Sequence, residues 1–221
     1  KQLGRLSDIP QVKADTYMWN KSAEPENDEL KISAGAIIDI TGNVDEKGVL
    51  RWEAPEGEWI VLRTGMALTG TQNAPASPES TGYEIDKMSK ATATKHFDAY
   101  VGEIIRRIPA EQRKGFRHVV ADSYEQGSDT WTEGFGELFE KEYGYSPYPW
   151  MPVLTGRIVE SAERSDRFLW DLRRLVADRI AIDYVGGLHD KCEENGLRLW
   201  LENYGHWGFP AEFLNYGGAS H

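Results

Sequence analysis

Short apolar runs and helical apolar stripes alternate along most of the chain. The runs that predict strands lie at 36–41, 49–52, 58–65, 117–121 and 197–201. The stripes spaced three and four residues apart, which predict helices, lie at 89–108, 135–143 and 161–193. Residues 1–34 alternate only weakly and predict an edge segment. From the middle of the chain onward, strands alternate with helices, and that order is typical of parallel βαβ crossovers.

Parallel βαβ units build both open sheets and barrels. No run is followed by Gly-x-Gly-x-x-Gly or by a Gly-x₄-Gly-Lys loop, which disfavours the nucleotide-binding open sheets. We therefore predict an α/β fold in which a partial (β/α)₈ TIM-barrel-like domain over 58–221 follows an N-terminal β-rich segment over 1–57. Because the chain begins at Lys1 and stops in a loop at His221, we interpret it as an interior piece whose barrel is truncated at its C-terminal end.

Charge and composition argue against several classes of function. The 221 residues carry a net charge of -11, which repels phosphate backbones and anionic lipid surfaces, so we expect neither nucleic acid nor membrane as a partner. No Gly-x-Ser-x-Gly elbow supports a serine hydrolase. The five histidines lack the spacing of a transition-metal site, and Cys192 as the only cysteine excludes an internal disulfide. Calcium, which takes oxygen ligands, is neither indicated nor excluded by these patterns.

Polar residues follow two predicted strands directly. Side chains at the carboxyl ends of parallel strands converge on one crevice, which makes these positions the candidates for substrate contact. The candidates after the two strands are Asp122, Glu125, Trp131, Glu202, Asn203, Tyr204, His206 and Trp207. A loop after the predicted strand at 58–65 adds Glu84, Asp86 and Lys87.

Hydrolysis of a glycosidic bond needs one protonated carboxyl group and one ionised carboxylate. Glu125 and Glu202 are the two candidates, because each stands among tyrosine or tryptophan residues whose desolvation would raise a carboxyl pKa. Asp122 is as consistent with a helix cap as with substrate binding. Their assignment as acid and base stays open at this point.

Several segments together resemble glycoside hydrolase family 106. They include Trp52 to Trp59, Gly82 to Lys87, Asp122 to Gly127, Pro152 to Arg157, Arg167 to Asp171 and Glu202 to Gly205. The resemblance covers roughly Ala34 to His221. It implies an inverting, exo-acting α-L-rhamnosidase with a (β/α)₈ catalytic module that acts on plant glycans, with calcium in the active site of some members and no organic cofactor.

Two motifs of this sequence match motifs of the family, and each contains one of the candidate glutamates. Glu125 closes a motif that reads Asp-Ser-Tyr-Glu here and more often Asp-Ser-Trp-Glu in relatives, and Glu202 matches the glutamate of a Glu-Asn-Tyr-Gly segment. Relatives continue into a segment that brings another glutamate, which would lie beyond His221. If that glutamate is catalytic, this fragment alone would be inactive.

The predicted function is hydrolysis of terminal α-L-rhamnosyl residues by a secreted or periplasmic parent protein, and the partners are the glycan and the rest of that polypeptide. One alternative is a non-catalytic carbohydrate-binding fragment, favoured if Glu125 and Glu202 pair with Arg117 or Arg198. Another is a hydrolase or lyase of acidic sugars, which would need Lys87 or Arg157 to face the substrate.

Overall fold

The computed structural model describes residue 27 and residues 31–125, 129–205 and 211–221. The chain divides into two compact units, of which the first contains 31–67 and 134–171 and the second contains the remaining described residues from 68 onward. The strands are β1 Lys31–Ile32, β2 His118–Ala121, β3 Ile158–Val159 and β4 Arg198–Leu201. The α-helices are α1 Lys90–Arg107, α2 Phe135–Tyr143, α3 Ala162–Arg179, α4 Gly186–Glu194 and α5 Phe213–Gly218, and a π-helical turn, Ile180–Val185, joins α3 to α4.

In the first unit, β1 and β3 pair in parallel, and an aromatic core holds α2. Phe139 of α2 packs edge-on against Phe168, with ring centroids 5.9 Å apart. The helix ends at Gly144, which has a left-handed φ of 77° and donates its N–H to the carbonyl of Glu140. The helix predicted over 135–143 is therefore confirmed, as is glycine's role in ending it.

The strands predicted in the first unit are wrong. Residues 36–41 run between two 3₁₀ turns, and a single antiparallel bridge joins Val44 to Leu50. The segment 58–65 forms no strand pairing with the described residues, and Ile60 is 76% exposed. An apolar run favours a strand only where a neighbouring strand supplies hydrogen bonds, and the described residues supply none to this segment.

In the second unit, β2 and β4 form a parallel pair whose register runs from His118 opposite Arg198 to Ala121 opposite Leu201. Helix α4 packs on β4 and on α1, while α5 packs on the π-helical turn. Val119, Ala121, Leu199 and Leu201 point to the covered side, because side chains alternate along a strand. The predicted parallel pairing is confirmed for these two strands, but not for 59–64.

The long helix predicted over 161–193 is confirmed, with one deviation. Ser161 caps it by accepting the N–H of Arg164 at 3.1 Å, and Gly196, with a φ of 66°, follows its end. An apolar stripe repeated every four residues drifts about 40° per step around an α-helix. The wider π turn rotates less per residue and so offsets part of that drift, and Leu188 beyond it is buried.

The mixed α/β class is confirmed, whereas closure of a barrel and a domain boundary after residue 57 stay predictions. None of the helices in the described ranges combines the length and the apolar composition needed to cross a membrane.

Candidate active site

The segments that follow β2 and β4 leave the sheet at the same edge. The N–H of Glu202 donates to the carbonyl of Ala121 at 2.9 Å, and the N–H of Tyr124 donates to the carbonyl of Tyr204 at 2.9 Å. A parallel bridge between Tyr124 and Gly205 continues the ladder. Both segments therefore carry their carboxylates to one place, which we call the carboxylate rim and define as Asp122, Glu125 and Glu202.

Asp122 and Glu202 share a hydrogen bond between their side chains. This bond raises the pKa of Glu202 and lowers the pKa of Asp122, because a hydrogen bond between two carboxyl groups favours the protonated form of one and the ionised form of the other. Glu202 therefore keeps the proton to higher pH, and Asp122 ionises first. The desolvation by aromatic residues that the sequence suggests is a smaller cause, since Glu202 is exposed.

Glu125 lies beside this pair. The hydroxyl of Ser123 donates to Oε1 of Glu125 at 3.0 Å, while the N–H of Ser123 donates to Oδ1 of Asp122 at 2.8 Å. The negative charge of Glu125 contributes to the raised pKa of Glu202. Ser123 thus connects two rim carboxylates, and the structure brings together the three acidic residues predicted after the strands.

The other residues predicted to follow the two strands differ in their surroundings. Asn203 packs against α5, where a Cβ added to Gly217 would lie 2.4 Å from its Nδ2. Tyr204 is 47% exposed, and Trp131 is half-buried. His206 and Trp207 lie outside the described residues. A common concave surface formed by these side chains stays a prediction.

The three residues predicted in the loop before α1 are largely withdrawn from solvent. Lys87 is only 5% exposed, and its ammonium contacts Oε2 of Glu84 at 2.6 Å. The same ammonium lies 5.3 Å from the ring centre of Tyr124 and 5.8 Å from that of Tyr184. Lys87 therefore anchors Tyr124, which stands between Asp122 and Glu125 in the chain, and its charge is already balanced.

Asp86 also has a structural role. Its Oδ1 accepts the N–H of Met88 at 2.9 Å, and its Oδ2 accepts the hydroxyl of Thr132 at 2.5 Å. These bonds fix the start of α1 against the segment that bears Trp131. Both carboxylate oxygens are thereby occupied by protein donors.

Two residues of this buried group were missed by sequence reasoning. Burial raises the pKa of Asp129, whose carboxylate lies near the Lys87 ammonium. Desolvation, with the nearby charges of Glu84 and Asp122, raises the pKa of Tyr184 to about 12. Tyr184 was hidden in the apolar stripe of the long helix, and nothing in the sequence around Asp129 marks it.

Three possible metal ligands meet elsewhere in the second unit. Ligand atoms of His189, Glu193 and His221 all lie within 4.8 Å of one another. However, Nδ1 of His221 accepts the N–H of Leu199 at 3.0 Å, so in a neutral ring the other nitrogen carries the proton. Since a metal needs the lone pair of that nitrogen, we assign no ion to this group.

Comparison with known proteins gives the following similarities. A family model described as alpha-L-rhamnosidase, for glycoside hydrolase family 106, matches residues 10–221. A protein of Formosa agariphila, whose provisional name is beta-glucuronidase, is 37% identical over 180 residues, which are 81% of this chain and 15% of that protein. The solved rhamnosidase from Novosphingobium sp. PP1Y is 31% identical with a TM-score of 0.72, over 85% of this chain and 18% of that one.

Proposed function

Because the chain belongs to glycoside hydrolase family 106, the alpha-L-rhamnosidase family, we propose that its parent protein hydrolyses terminal α-L-rhamnosyl residues of plant glycans by an inverting mechanism. The observation that carries the proposal is the pair of carboxyl groups, Asp122 and Glu202, that meet at the adjoining ends of two parallel strands with Glu125 beside them. The chain spans less than a fifth of either relative, so the (β/α)₈ barrel, the substrate and the secreted location belong to the proposal too.

Glu202 is the proposed general acid. A general acid must hold a proton at the working pH and release it to the leaving oxygen. The hydrogen bond that protonated Glu202 donates to the carboxylate of Asp122 raises the pKa of Glu202 and so extends the pH range in which that proton is present. Asp122 is then a positioning residue that orients the carboxyl group of Glu202 and tunes its pKa.

Glu125 is the proposed general base. Inversion requires a water between acid and base, which places their carboxyl groups about 6.5–9.5 Å apart. Asp122 is hydrogen-bonded to Glu202 and is therefore too close to serve as that base. Glu125 acts on Glu202 through its charge, and the hydroxyl of Ser123 holds one of its oxygens. The proposed base would take a proton from water as that water attacks the anomeric carbon.

The calcium implied by the family resemblance stays a prediction. Calcium takes about six to eight oxygen ligands. In the described part of the rim, the acidic side chains do not form a group of three ligands close enough for one ion. The residues present do not make a complete calcium site, and no step is assigned to the ion.

The relative's name makes hydrolysis of a glucuronide the second candidate. A glucuronide carries a carboxylate, which requires a cation in the site. Lys87 is buried against Glu84, and the rim residues Asp122, Glu125 and Glu202 are acidic, so the rim favours a neutral sugar. The guanidinium of Arg157 donates to the hydroxyl of Thr155 at 2.5 Å.

A non-catalytic sugar-binding role is less well supported. Ion pairs of the rim glutamates with arginines such as Arg117 or Arg198 would favour it. Both arginines lie at the amino ends of β2 and β4, where the N–H of Arg198 donates to the carbonyl of Arg117, while Glu202 follows the carboxyl end of β4. The length of the strands separates these arginines from Glu202.

The test is to incubate the intact protein with an aryl α-L-rhamnoside and, separately, an aryl β-glucuronide, and to follow the first released sugar by proton NMR. We expect rhamnose to appear first as the β-anomer. Release of the α-anomer would overturn inversion, and cleavage of the glucuronide alone would overturn the substrate.

A further inference from the structure

Ser123 lies among the three carboxylates of the rim and contacts each of them. Its hydroxyl donates to Oε1 of Glu125 at 3.0 Å, and its N–H donates to Oδ1 of Asp122 at 2.8 Å. The same N–H is hydrogen-bonded to the carboxyl group of Glu202, whose pKa it lowers. One small uncharged residue thus touches the proposed base, the proposed acid and the residue that orients the acid.

The backbone of Ser123 is held on both sides. Before it, the carbonyl of Ala121 accepts the N–H of Glu202. After it, the N–H of Tyr124 donates to the carbonyl of Tyr204, and the side chain of Tyr124 is buried. A donor on such a fixed segment keeps its position, whereas a glutamate side chain has several rotatable bonds and loses entropy when it is ordered.

The hydroxyl proton of Ser123 is directed to Glu125. A second acceptor, Oδ1 of Asp122, lies 3.5 Å from the hydroxyl oxygen and already accepts the N–H at 2.8 Å. Since a contact of 3.5 Å is long for a hydroxyl donor, the bond to Glu125 is the stronger of the two. Fixing one oxygen of a carboxylate fixes the plane of the group and with it the position of the second oxygen.

We infer that Ser123 is a positioning residue whose hydroxyl orients the carboxylate of Glu125 for proton transfer from the attacking water. This inference rests on the proposed function and deepens it, because it assigns the orientation of the base to a side chain that does not itself react. Misplacement of a reacting group by about 1 Å can lower the rate about 10²-fold. The hydroxyl should therefore act on kcat and not on KM.

The experiment measures kcat and KM of the intact protein for an aryl α-L-rhamnoside. Ser123→Ala should lower kcat about 10–100-fold, with KM within about twofold of wild type. Ser123→Thr retains a hydroxyl and should keep most of the turnover. The matched control is Ser77→Ala, which should leave kcat unchanged, because Ser77 also hydrogen-bonds to a glutamate two residues ahead, Glu79, but in the exposed loop before α1.

Two further readouts separate positioning from a general effect on folding. In the Glu125→Gln background, Ser123→Ala should cause no additional loss of kcat, because the carboxylate that it orients is already removed. The alkaline limb of kcat/KM, which Glu202 sets, should stay in place in Ser123→Ala, since the backbone N–H that contacts Glu202 remains.

The outcomes distinguish the positioning role from the reaction. If the rhamnoside is cleaved but Ser123→Ala keeps normal kcat, or if its loss multiplies with that of Glu125→Gln, the positioning role is wrong and the proposed function stands. If the wild-type protein does not cleave the rhamnoside, the proposed function fails and the inference with it. Should Ser123→Ala lose its folded circular dichroism spectrum, Ser123→Cys decides, because a thiol is a weak donor and should also lower kcat.

Discussion

Two groups of acidic residues in the second unit show how one residue type serves two purposes. At the carboxylate rim, Asp122 and Glu202 are exposed and hydrogen-bonded to each other. Around Lys87, the carboxylates of Glu84 and Asp129 are withdrawn from water and face a buried ammonium. The rim carboxyl groups can exchange protons with a substrate, while the buried group is balanced internally and holds the rim in place.

We expect the largest effect on turnover from substitution of Glu202. Glu202→Gln keeps the volume of an exposed side chain, so the free energy of unfolding should change by no more than about 0.5 kcal/mol. The loss of a general acid should lower kcat for an aryl rhamnoside about 10²–10⁴-fold. Steady-state kinetics and urea denaturation measure the two quantities.

An activated leaving group should partly restore turnover of this variant, because it needs less protonation. Glu137→Gln, at an exposed position on α2, should change neither quantity. Normal turnover of Glu202→Gln would remove Glu202 from the mechanism. The same measurement on Glu125→Gln tests whether the general base lies in this chain.

The buried group around Lys87 should show the opposite behaviour. Its substitution should act mainly on the free energy of unfolding. Lys87→Met removes the ammonium and leaves the carboxylates of Glu84 and Asp129 without their counter-charge, which should lower the free energy of unfolding by about 3–5 kcal/mol. Urea denaturation measures this change. Lys95→Met, at an exposed position on α1, should stay within about 0.5 kcal/mol of wild type. An equal effect of the two substitutions would contradict the proposed difference between the groups.

A smaller effect should arise where the rim packs on α5. Gly217→Ala would bring a methyl group within 2.4 Å of Nδ2 of Asn203, and we expect a loss of about 1–3 kcal/mol in the free energy of unfolding. Gly218→Ala is the matched control, since an added Cβ there meets nothing within 4 Å. Adding Asn203→Ala to Gly217→Ala should restore most of the loss. Equal melting curves for the two alanine variants would show that the helix moves to make room.

The smallest effect should be a shift in the pH profile. A general acid loses activity as the pH rises through its pKa, and Asp122 raises the pKa of Glu202. Asp122→Asn should therefore lower that pKa and move the alkaline limb of kcat/KM to lower pH. Glu163→Gln, an exposed change on α3, should leave the limb in place. A shift of the Asp122→Asn limb to higher pH would reverse the assigned direction.

The sequence by itself determined helices α1 to α4, the two strands β2 and β4 and the acidic rim, but not α5, whose residues it indicated as a loop. The helical stripes, the serine before α3 and the glycines after α2 and α4 act locally, so their signals survive without the rest of the fold. The strands at 118–121 and 198–201 could be predicted because each is apolar and is followed directly by carboxylates. The parallel order then implied that Asp122, Glu125 and Glu202 would meet at one edge.

Only the tertiary structure decided which carboxyl groups are hydrogen-bonded to each other and which residues support them. The apolar run at 58–65 has the composition of a strand, but pairing depends on a neighbour that the pattern does not specify. Lys87, Glu84 and Asp86 were predicted to touch substrate, yet their partners Tyr184, Asp129 and Thr132 come from distant parts of the chain. A side chain's burial and charge balance are set by such non-local neighbours, and for that reason the sequence placed these residues near the site without revealing their role.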